Sequence, residues 1–124
     1  MDAFRNKGTN EIRTFTAAFN KFTAQGATIS QTGGSYSVSV ALHEDSEVDD
    51  PNPSAMLNGS PSFNSTDVVT LDLVKVPANT GLMQSITGGV VGALYVVTFQ
   101  VTLSTGEKPY EQATLFITEY VPDP

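Results

Sequence analysis

The amino-acid sequence predicts an all-β domain, an antiparallel β-sandwich of about seven short strands. Three observations lead to this prediction. Apolar and polar side chains alternate with a period of two in several short segments, as on strands that bury one face. Turn signals rich in glycine, proline and asparagine separate these segments at intervals of roughly 8–14 residues. No long amphipathic helix and no alternation of strands with helices is visible, so a parallel sheet is not expected.

Residues 1–10 are predicted to form an N-terminal arm ahead of a single domain that spans residues 11–124. The arm is polar apart from one aromatic side chain and offers little to bury. We therefore expect it to be flexible and disordered in the isolated domain, and to become ordered against a partner. Its candidate docking residues are Phe4, Arg5 and Lys7. The alternative that Phe4 packs back on its own domain stays open.

The first strand of the domain is expected at about residues 11–17. A short turn or a single helical turn then inserts Phe19 and Phe22 into the core. A turn at 25–30 leads into a short strand. Residues 36–42 alternate cleanly between apolar and small polar side chains, which predicts a strand with one buried face.

Residues 43–53 break this alternation and are predicted to form an exposed loop. The loop holds a dense group of acidic side chains, which are the candidate interaction residues: Glu44, Asp45, Glu47, Asp49 and Asp50. We expect them either to stay in solvent or to meet a basic patch on another chain. In both cases neutralising Glu47, Asp49 and Asp50 together is expected to leave folding intact. A weakly bound cation is a further alternative, but the segment lacks the alternating ligands and the glycine of an EF-hand, so no metal site is assigned.

Residues 67–76 are expected to form one continuous strand with Val69, Leu71 and Leu73 on one face. Pro77 ends this strand because proline cannot donate a hydrogen bond to the ladder. A further short strand is expected at 83–86.

A C-terminal β-hairpin completes the predicted fold. It follows a glycine-rich turn at 86–94 and begins with a strand that directs one apolar set of side chains to the same face: Tyr95, Val97, Phe99, Val101 and Leu103. The turn at 104–107 contains a glycine that can adopt a positive φ. The chain then returns in a strand at 113–118.

Charge is distributed unevenly along the chain, whose net charge is −7. Four of the six basic residues lie within the first 21 positions against two acids, so that segment carries +2 and the remainder −9. An acidic body repels nucleic acid, so no nucleic-acid partner is expected. The chain has no cysteine, no apolar run that approaches about 18 residues and no hydrophobic signal core. We therefore expect synthesis in the cytoplasm and no association with a membrane.

The residues give no support for catalysis, so the chain is not expected to be an enzyme. The single histidine, His43, adjoins the acidic segment, but no serine or threonine motif marks a nucleophile. The glycine-rich segment 87–92 lacks the lysine and the following helix of a phosphate-binding loop, so it is interpreted as a turn. No cofactor is expected.

Residues 86–102, followed by Ser104-Thr105-Gly106 and a final β-strand, resemble the end of small immunoglobulin-like structural proteins of tailed bacteriophages. The opening is similar to their N-terminal half: Lys7-Gly8-Thr9-Asn10-Glu11, then a strand with Phe15, then Phe19 and Phe22 before residues 26–29. The resemblance covers roughly residues 7–121. The sequence departs from the family in the middle, where residues 44–53 and 58–67 are longer than expected.

This resemblance implies an immunoglobulin-like sandwich and a non-enzymatic role in the virion. A capsid decoration or cement protein is expected, located on the capsid surface after synthesis in the host cytoplasm. It would stabilise the head through contacts with the major capsid protein or other virion proteins. A homo-oligomer is implied, with a trimer favoured by the class alone.

Two alternatives stay open. Within the virion, the chain could serve as a head–tail connector or tail subunit. In a different class, it could be a carbohydrate- or cell-surface-binding β-module, which needs exposed aromatic side chains in a groove. The candidates for such a groove are Tyr36, Phe63, Tyr110, Phe116 and Tyr120.

Overall fold

The computed structural model describes residues 2–8, 11–70 and 73–118. Within these residues the chain forms mainly short strands, together with one turn of α-helix and one turn of 3₁₀-helix. The strands are β1 (Asp2–Gly8), β2 (Arg13–Ala18), β3 (Ser37–Leu42), β4 (Leu57–Phe63), β5 (Val68–Val69), β6 (Lys75–Val76), β7 (Gly81–Ile86), β8 (Leu94–Gln100) and β9 (Tyr110–Thr118). The α-helix is α1 (Asn20–Thr23) and the 3₁₀-helix spans Pro53–Met56.

The strands form two main sheets and one small one. The larger sheet has the order β1-β9-β8-β3, the second has the order β2-β7-β4, and β5 pairs only with β6. All pairs are antiparallel except β1 with β9, which is parallel. The prediction of an all-β sandwich is therefore confirmed.

One apolar core lies between the two main sheets. Strand β8 shows the alternation most clearly, because Tyr95, Val97 and Phe99 are buried while their neighbours on the strand are only half-buried. Leu82 and Ile86 on β7 face them from the other sheet and have no exposed surface. Period-two patterning thus decides which face of each strand enters the core.

The turn after β2 has the predicted character. Phe19 precedes the single turn α1 and is fully buried, whereas Phe22 packs against the core from its edge. The short strand expected after residue 25 is reduced to an isolated bridge between Ile29 and Leu103.

The N-terminal segment differs from the expectation of a flexible arm, which is wrong for residues 2–8. These residues form β1 and pair in parallel with β9 from Gln112 to Thr118. The physical reason is that backbone pairing does not require apolar side chains: without β1, the outer edge of β9 would present unpaired N–H and C=O groups. At the end of β1 the backbone N–H of Glu11 donates to the carbonyl of Gly8 at 3.1 Å.

Residues 67–76 also depart from prediction, because they form a hairpin of β5 and β6 rather than one strand. Leu71 lies outside the described residues, and Leu73 occupies the left-handed region with φ 62°. The base of the hairpin is held by the buried Asn64, whose Nδ2 donates to the carbonyls of Val76 at 3.1 Å and Pro77 at 2.9 Å. Its Oδ1 accepts from the N–H of Gly81 at 2.8 Å. One asparagine therefore holds both ends of the segment together, which a continuous strand would not allow.

Candidate docking surfaces

The acidic loop follows β3, and the structure separates its five carboxylates into two groups. Glu44, Asp45, Glu47 and Asp49 are exposed, whereas Asp50 is half-buried. The loop is fixed to the start of β8 by two hydrogen bonds. The N–H of His43 donates to the carbonyl of Leu94 at 2.8 Å, and the N–H of Leu94 donates to Oγ of Ser46 at 3.0 Å. The four exposed acids thus lie on an anchored loop.

Asp50 binds the fully buried Tyr95 at the start of β8. The Tyr95 hydroxyl donates to Oδ2 of Asp50 at 2.7 Å and accepts from the N–H of Val90 at 3.0 Å. Oδ1 of Asp50 accepts from the N–H of Asn52 at 2.9 Å. Burial, followed by the hydrogen bond to Asp50, raises the pKa of Tyr95 to about 12.

Asp50 therefore has a structural role within the chain, and its contact with another chain stays a prediction. Sequence reasoning treated Tyr95 only as a core residue, so it missed the polar function of the hydroxyl. The available signal was a tyrosine among buried positions, because a buried hydroxyl needs a hydrogen-bond partner. The identity of that partner could not be read locally, since it lies 45 positions away.

The side chain of His43 makes its contacts within the acidic loop. Its Nδ1 accepts from the N–H of Asp45 at 3.0 Å and lies 3.9 Å from the Asp45 carboxylate. Across the described ranges, no group of three or more histidine, cysteine, aspartate or glutamate side chains is placed to hold a metal ion.

The three arm residues now belong to β1. Phe4, Arg5 and Lys7 are in register with Thr114, Leu115 and Ile117 of β9. Their backbone takes part in the sheet, and their proposed contact with a partner stays a prediction.

The β5–β6 hairpin exposes apolar side chains that the sequence pattern did not single out, since alternation placed Val69 and Leu73 only on one face of a continuous strand. The exposed fractions are 64% for Val69, 85% for Leu73 and 50% for Val74. We call these three residues the hairpin cluster. They form a candidate docking surface, because several exposed apolar side chains on one short hairpin are more informative than isolated ones.

The base of this hairpin holds one ion pair, formed by a lysine and an aspartate. Nζ of Lys75 lies 3.3 Å from Oδ2 of Asp67, and Oδ1 of Asp67 accepts from the N–H of Ala78 at 2.9 Å. The hydrogen bond from Ala78, followed by the interaction with Lys75, lowers the pKa of Asp67. The ion pair between Lys75 and Asp67 therefore adds no net charge beside the hairpin cluster.

Among the described aromatic candidates for a sugar-binding groove, two pack on each other and adjoin the core, and two lie on β9. Tyr36 and Phe63 pack edge-to-face on each other, with ring centroids 4.9 Å apart, and adjoin the core. Tyr110 is 60% exposed at the start of β9, and Phe116 lies further along the same strand. Tyr120 lies outside the described residues.

Comparisons of the chain with protein-family models, curated proteins and solved structures find no match. In the part of the chain that the structure describes, none of the helices has the length and apolar character needed to cross a membrane.

Proposed function

We propose that this chain is a non-enzymatic structural protein of a tailed-bacteriophage virion, where it decorates the capsid and stabilises the head through protein–protein contacts. The single observation that carries a docking role is the hairpin cluster at one end of the sandwich. The assignment to a capsid rests on the resemblance of residues 86–102 to small virion proteins. Its partners would be the major capsid protein or other virion proteins.

An immunoglobulin-like sandwich, which this proposal includes, is supported by the strand order. Strands β2-β7-β4 and β3-β8-β9 correspond to the B-E-D and C-F-G orders of immunoglobulin domains. A second feature is the hydroxyl of Tyr95, which bonds the backbone of Val90 five residues upstream. In immunoglobulin domains a tyrosine near the start of strand F makes such a bond and lies two residues before the second cysteine. Val97 occupies that cysteine position here.

Leu73 gives the docking argument its physical basis. Its left-handed backbone conformation costs about 1–2 kcal/mol for a residue with a Cβ. Glycine would avoid this cost in the isolated chain. Contact with a partner would instead bury the leucine side chain, which contributes roughly 25 cal/mol per Å² of apolar surface removed from water. A docking role therefore accounts for an apolar residue at this turn.

The opposite end of the sandwich provides a second contact of different chemistry. The exposed acids Glu44, Asp45, Glu47 and Asp49 lie on the loop that follows β3, where β8 begins. Such a loop suits a basic patch on a capsid surface, and its attraction would weaken as salt rises. A head–tail connector or a tail subunit could use the same two ends of the sandwich. Both roles therefore stay as alternatives within the virion. The separation of the aromatic candidates gives the carbohydrate-binding alternative no support.

Binding to virus particles tests the proposal. Particles purified from phage that carry this gene should contain the chain, and added protein should sediment with particles that lack it. Leu73→Gly should weaken that binding at least about tenfold, because it removes the largest exposed side chain of the cluster. The matched control is Asn79→Gly, which changes another non-glycine residue with a positive φ, 67°, without removing apolar surface.

Leu73→Gly should also leave the folded state as stable as the wild type or up to about 1 kcal/mol more stable. A loss of attachment with retained stability separates docking from folding. Absence of the chain from purified particles, or equal attachment of both variants, would refute the respective part of the proposal.

A further inference from the structure

Strand β4 carries the one asparagine of the chain that is followed by glycine, Asn58-Gly59. Both residues are exposed, and the backbone of Gly59 lies in the left-handed region with φ 79°. A Cβ built on Gly59 would meet no atom within 4 Å. Open space therefore adjoins the peptide bond between the two residues.

The pairing of β4 with β7 directs the nitrogen of this peptide bond away from the sheet. The N–H of Thr87 donates to the carbonyl of Met56 at 2.9 Å. Hydrogen-bonded and non-hydrogen-bonded pairs alternate along an antiparallel ladder, so Asn58 and Ser85 form the next hydrogen-bonded pair. The carbonyl of Asn58 then points towards β7, and across a trans peptide the N–H of Gly59 points the opposite way.

The opposite side of β4 is a sheet edge, because β4 is the last strand in the order β2-β7-β4. The regular register ends at Asn58 and resumes at Ser62, which pairs with Met83. Residues 59–61 thus lie opposite Gln84, whose Nε2 donates to the carbonyl of Gly59 at 3.0 Å. An irregular edge strand opens locally more easily than a regular central strand.

We propose that Asn58 is a site of spontaneous covalent modification, at which the side-chain amide becomes a carboxylate. The Gly59 nitrogen, after losing its proton to hydroxide, attacks Cγ of Asn58 and closes a five-membered succinimide ring. The bond between Cγ and Nδ2 breaks, and Nδ2 takes up protons from solvent and leaves as ammonia. Water then adds to either ring carbonyl and breaks its bond to the Gly59 nitrogen, which yields aspartate or isoaspartate. The net reaction consumes water and releases ammonia.

Ser85 restrains the reactive amide. Nδ2 of Asn58 donates to Oγ of Ser85 at 3.1 Å, across the last regular pair before the shift. Ring closure requires that this hydrogen bond break and that the extended backbone rotate to bring Cγ to the next nitrogen. The folded chain should therefore react more slowly than the unfolded chain, at a rate set by local opening of β4.

Asparagine is one of the thermally labile residues of proteins, but the other asparagines of this chain are poorer substrates for this reaction. Asn64 precedes a serine, but its surface is only 1% exposed and its amide bonds Val76, Pro77 and Gly81. Asn52 precedes a proline, whose nitrogen has no proton to lose. The rest precede lysine, glutamate or threonine, whose side chains hinder approach to the peptide nitrogen.

Conversion changes the chemistry of the β4 edge. It makes the net charge one unit more negative than −7 and replaces the amide donor to Ser85 with a carboxylate. Isoaspartate also adds one carbon to the backbone, beside a register shift where β4 already has extra residues. The modification does not depend on a role in the virion.

Peptide mass spectrometry of the purified chain during incubation at mildly alkaline pH tests the proposal. The mass change of amide-to-acid conversion should appear first in the peptide that contains Asn58. It should appear faster as pH rises, because the attacking nitrogen must lose a proton. Enzymatic methylation of isoaspartate should label the same peptide. Asn58→Gln should stay unconverted over the same time, since glutamine must close a larger ring.

Substitutions at Ser85 test the restraint. Ser85→Ala should accelerate conversion about two- to tenfold, as expected for the loss of one hydrogen bond. Ser85→Thr keeps a hydroxyl and should convert at the wild-type rate. The matched control is Ser62→Ala, at an exposed serine of the same strand, which should also convert like the wild type. Circular dichroism and thermal unfolding establish that the variants are folded.

Earlier conversion at another asparagine would overturn the proposal. So would an unmodified Asn58 in the folded chain over a period that converts it in urea. An unchanged or slower rate in Ser85→Ala would overturn the restraint by Ser85. Because the measurement uses the chain alone, its outcome is independent of whether the protein is found in virus particles.

Discussion

At the scale of single residues, Tyr95 joins the core to two surface loops. Its ring is buried between the sheets, while its hydroxyl contacts the backbone at Val90 and the carboxylate of Asp50. One side chain thereby ties the acidic loop and the glycine-rich turn to β8. Val90, five residues before it, and Asp50, 45 residues before it, both bond this hydroxyl.

We expect Tyr95→Phe to lower the free energy of unfolding by about 1–3 kcal/mol, because it leaves the Val90 N–H and the Asp50 carboxylate without the hydroxyl. Urea unfolding measures this change. Tyr110→Phe is the matched control, since its ring is 60% exposed, and it should stay within about 0.5 kcal/mol of the wild type.

The same residue predicts a dependence on alkaline pH. The pKa of Tyr95 is raised from 10.0 to about 12 on folding, so its contribution to stability is complete below pH 10. That contribution is lost as pH rises through about 12, because the unfolded tyrosine ionises more readily. The stability difference between the wild type and Tyr95→Phe should therefore narrow in this range. A constant difference would contradict the raised pKa of Tyr95.

Two neighbouring acids of the loop should respond differently to substitution. Asp50→Ala should cost about 1.5–3 kcal/mol, because it removes a charged acceptor from the Tyr95 hydroxyl and the Asn52 N–H. Asp49→Ala, at an exposed position, should change stability by no more than about 0.5 kcal/mol. Denaturant unfolding measures the free energy of unfolding of both variants. Equal and small effects would restore the expectation that neutralising the loop leaves folding unchanged.

At the scale of elements, β1 covers the edge of β9 in the larger sheet. It pairs with β9 over its whole length, Asp2–Gly8. Removing it would convert β9 into an exposed edge strand, which is a template for pairing with other chains.

Deletion of residues 1–8 should therefore lower the free energy of unfolding by more than about 1 kcal/mol, since each lost backbone hydrogen bond contributes about 0.5–1.5 kcal/mol. Light scattering should also show increased aggregation. A control that substitutes Asp2 with asparagine retains the backbone and should behave like the wild type. Unchanged stability after the deletion would return residues 2–8 to the role of an arm.

At the scale of the whole molecule, folding depends on apolar side chains that meet between the sheets. Phe99 faces this core, whereas Gln100 follows it on the outer face. Phe99→Ala should cost roughly 3–5 kcal/mol, through lost burial and the cavity it leaves. Gln100→Ala should cost about 0.5 kcal/mol or less in the monomer. Thermal or urea unfolding at low protein concentration compares them, and similar losses at both positions would mean that β8 is buried on both sides.

The amino-acid sequence alone determined the fold class, the buried face of β8 and the exposure of Glu44, Asp45, Glu47 and Asp49. These features are local, because alternation at period two assigns a face and a dense run of acids requires solvent. The local pattern also predicted a turn that buries Phe19, as the structure has it.

Only the tertiary structure decided the place of β1, the hairpin at residues 67–76 and the function of Asp50. In each case the deciding partner is remote in sequence: β9 for β1, and Tyr95 for Asp50. Alternation favours one extended strand at residues 67–76. The hairpin forms instead because the side chain of Asn64 donates to the carbonyl of Val76 and accepts from the N–H of Gly81. Backbone and buried polar groups must find partners wherever the fold supplies them, and that requirement carries no periodic signal along the chain.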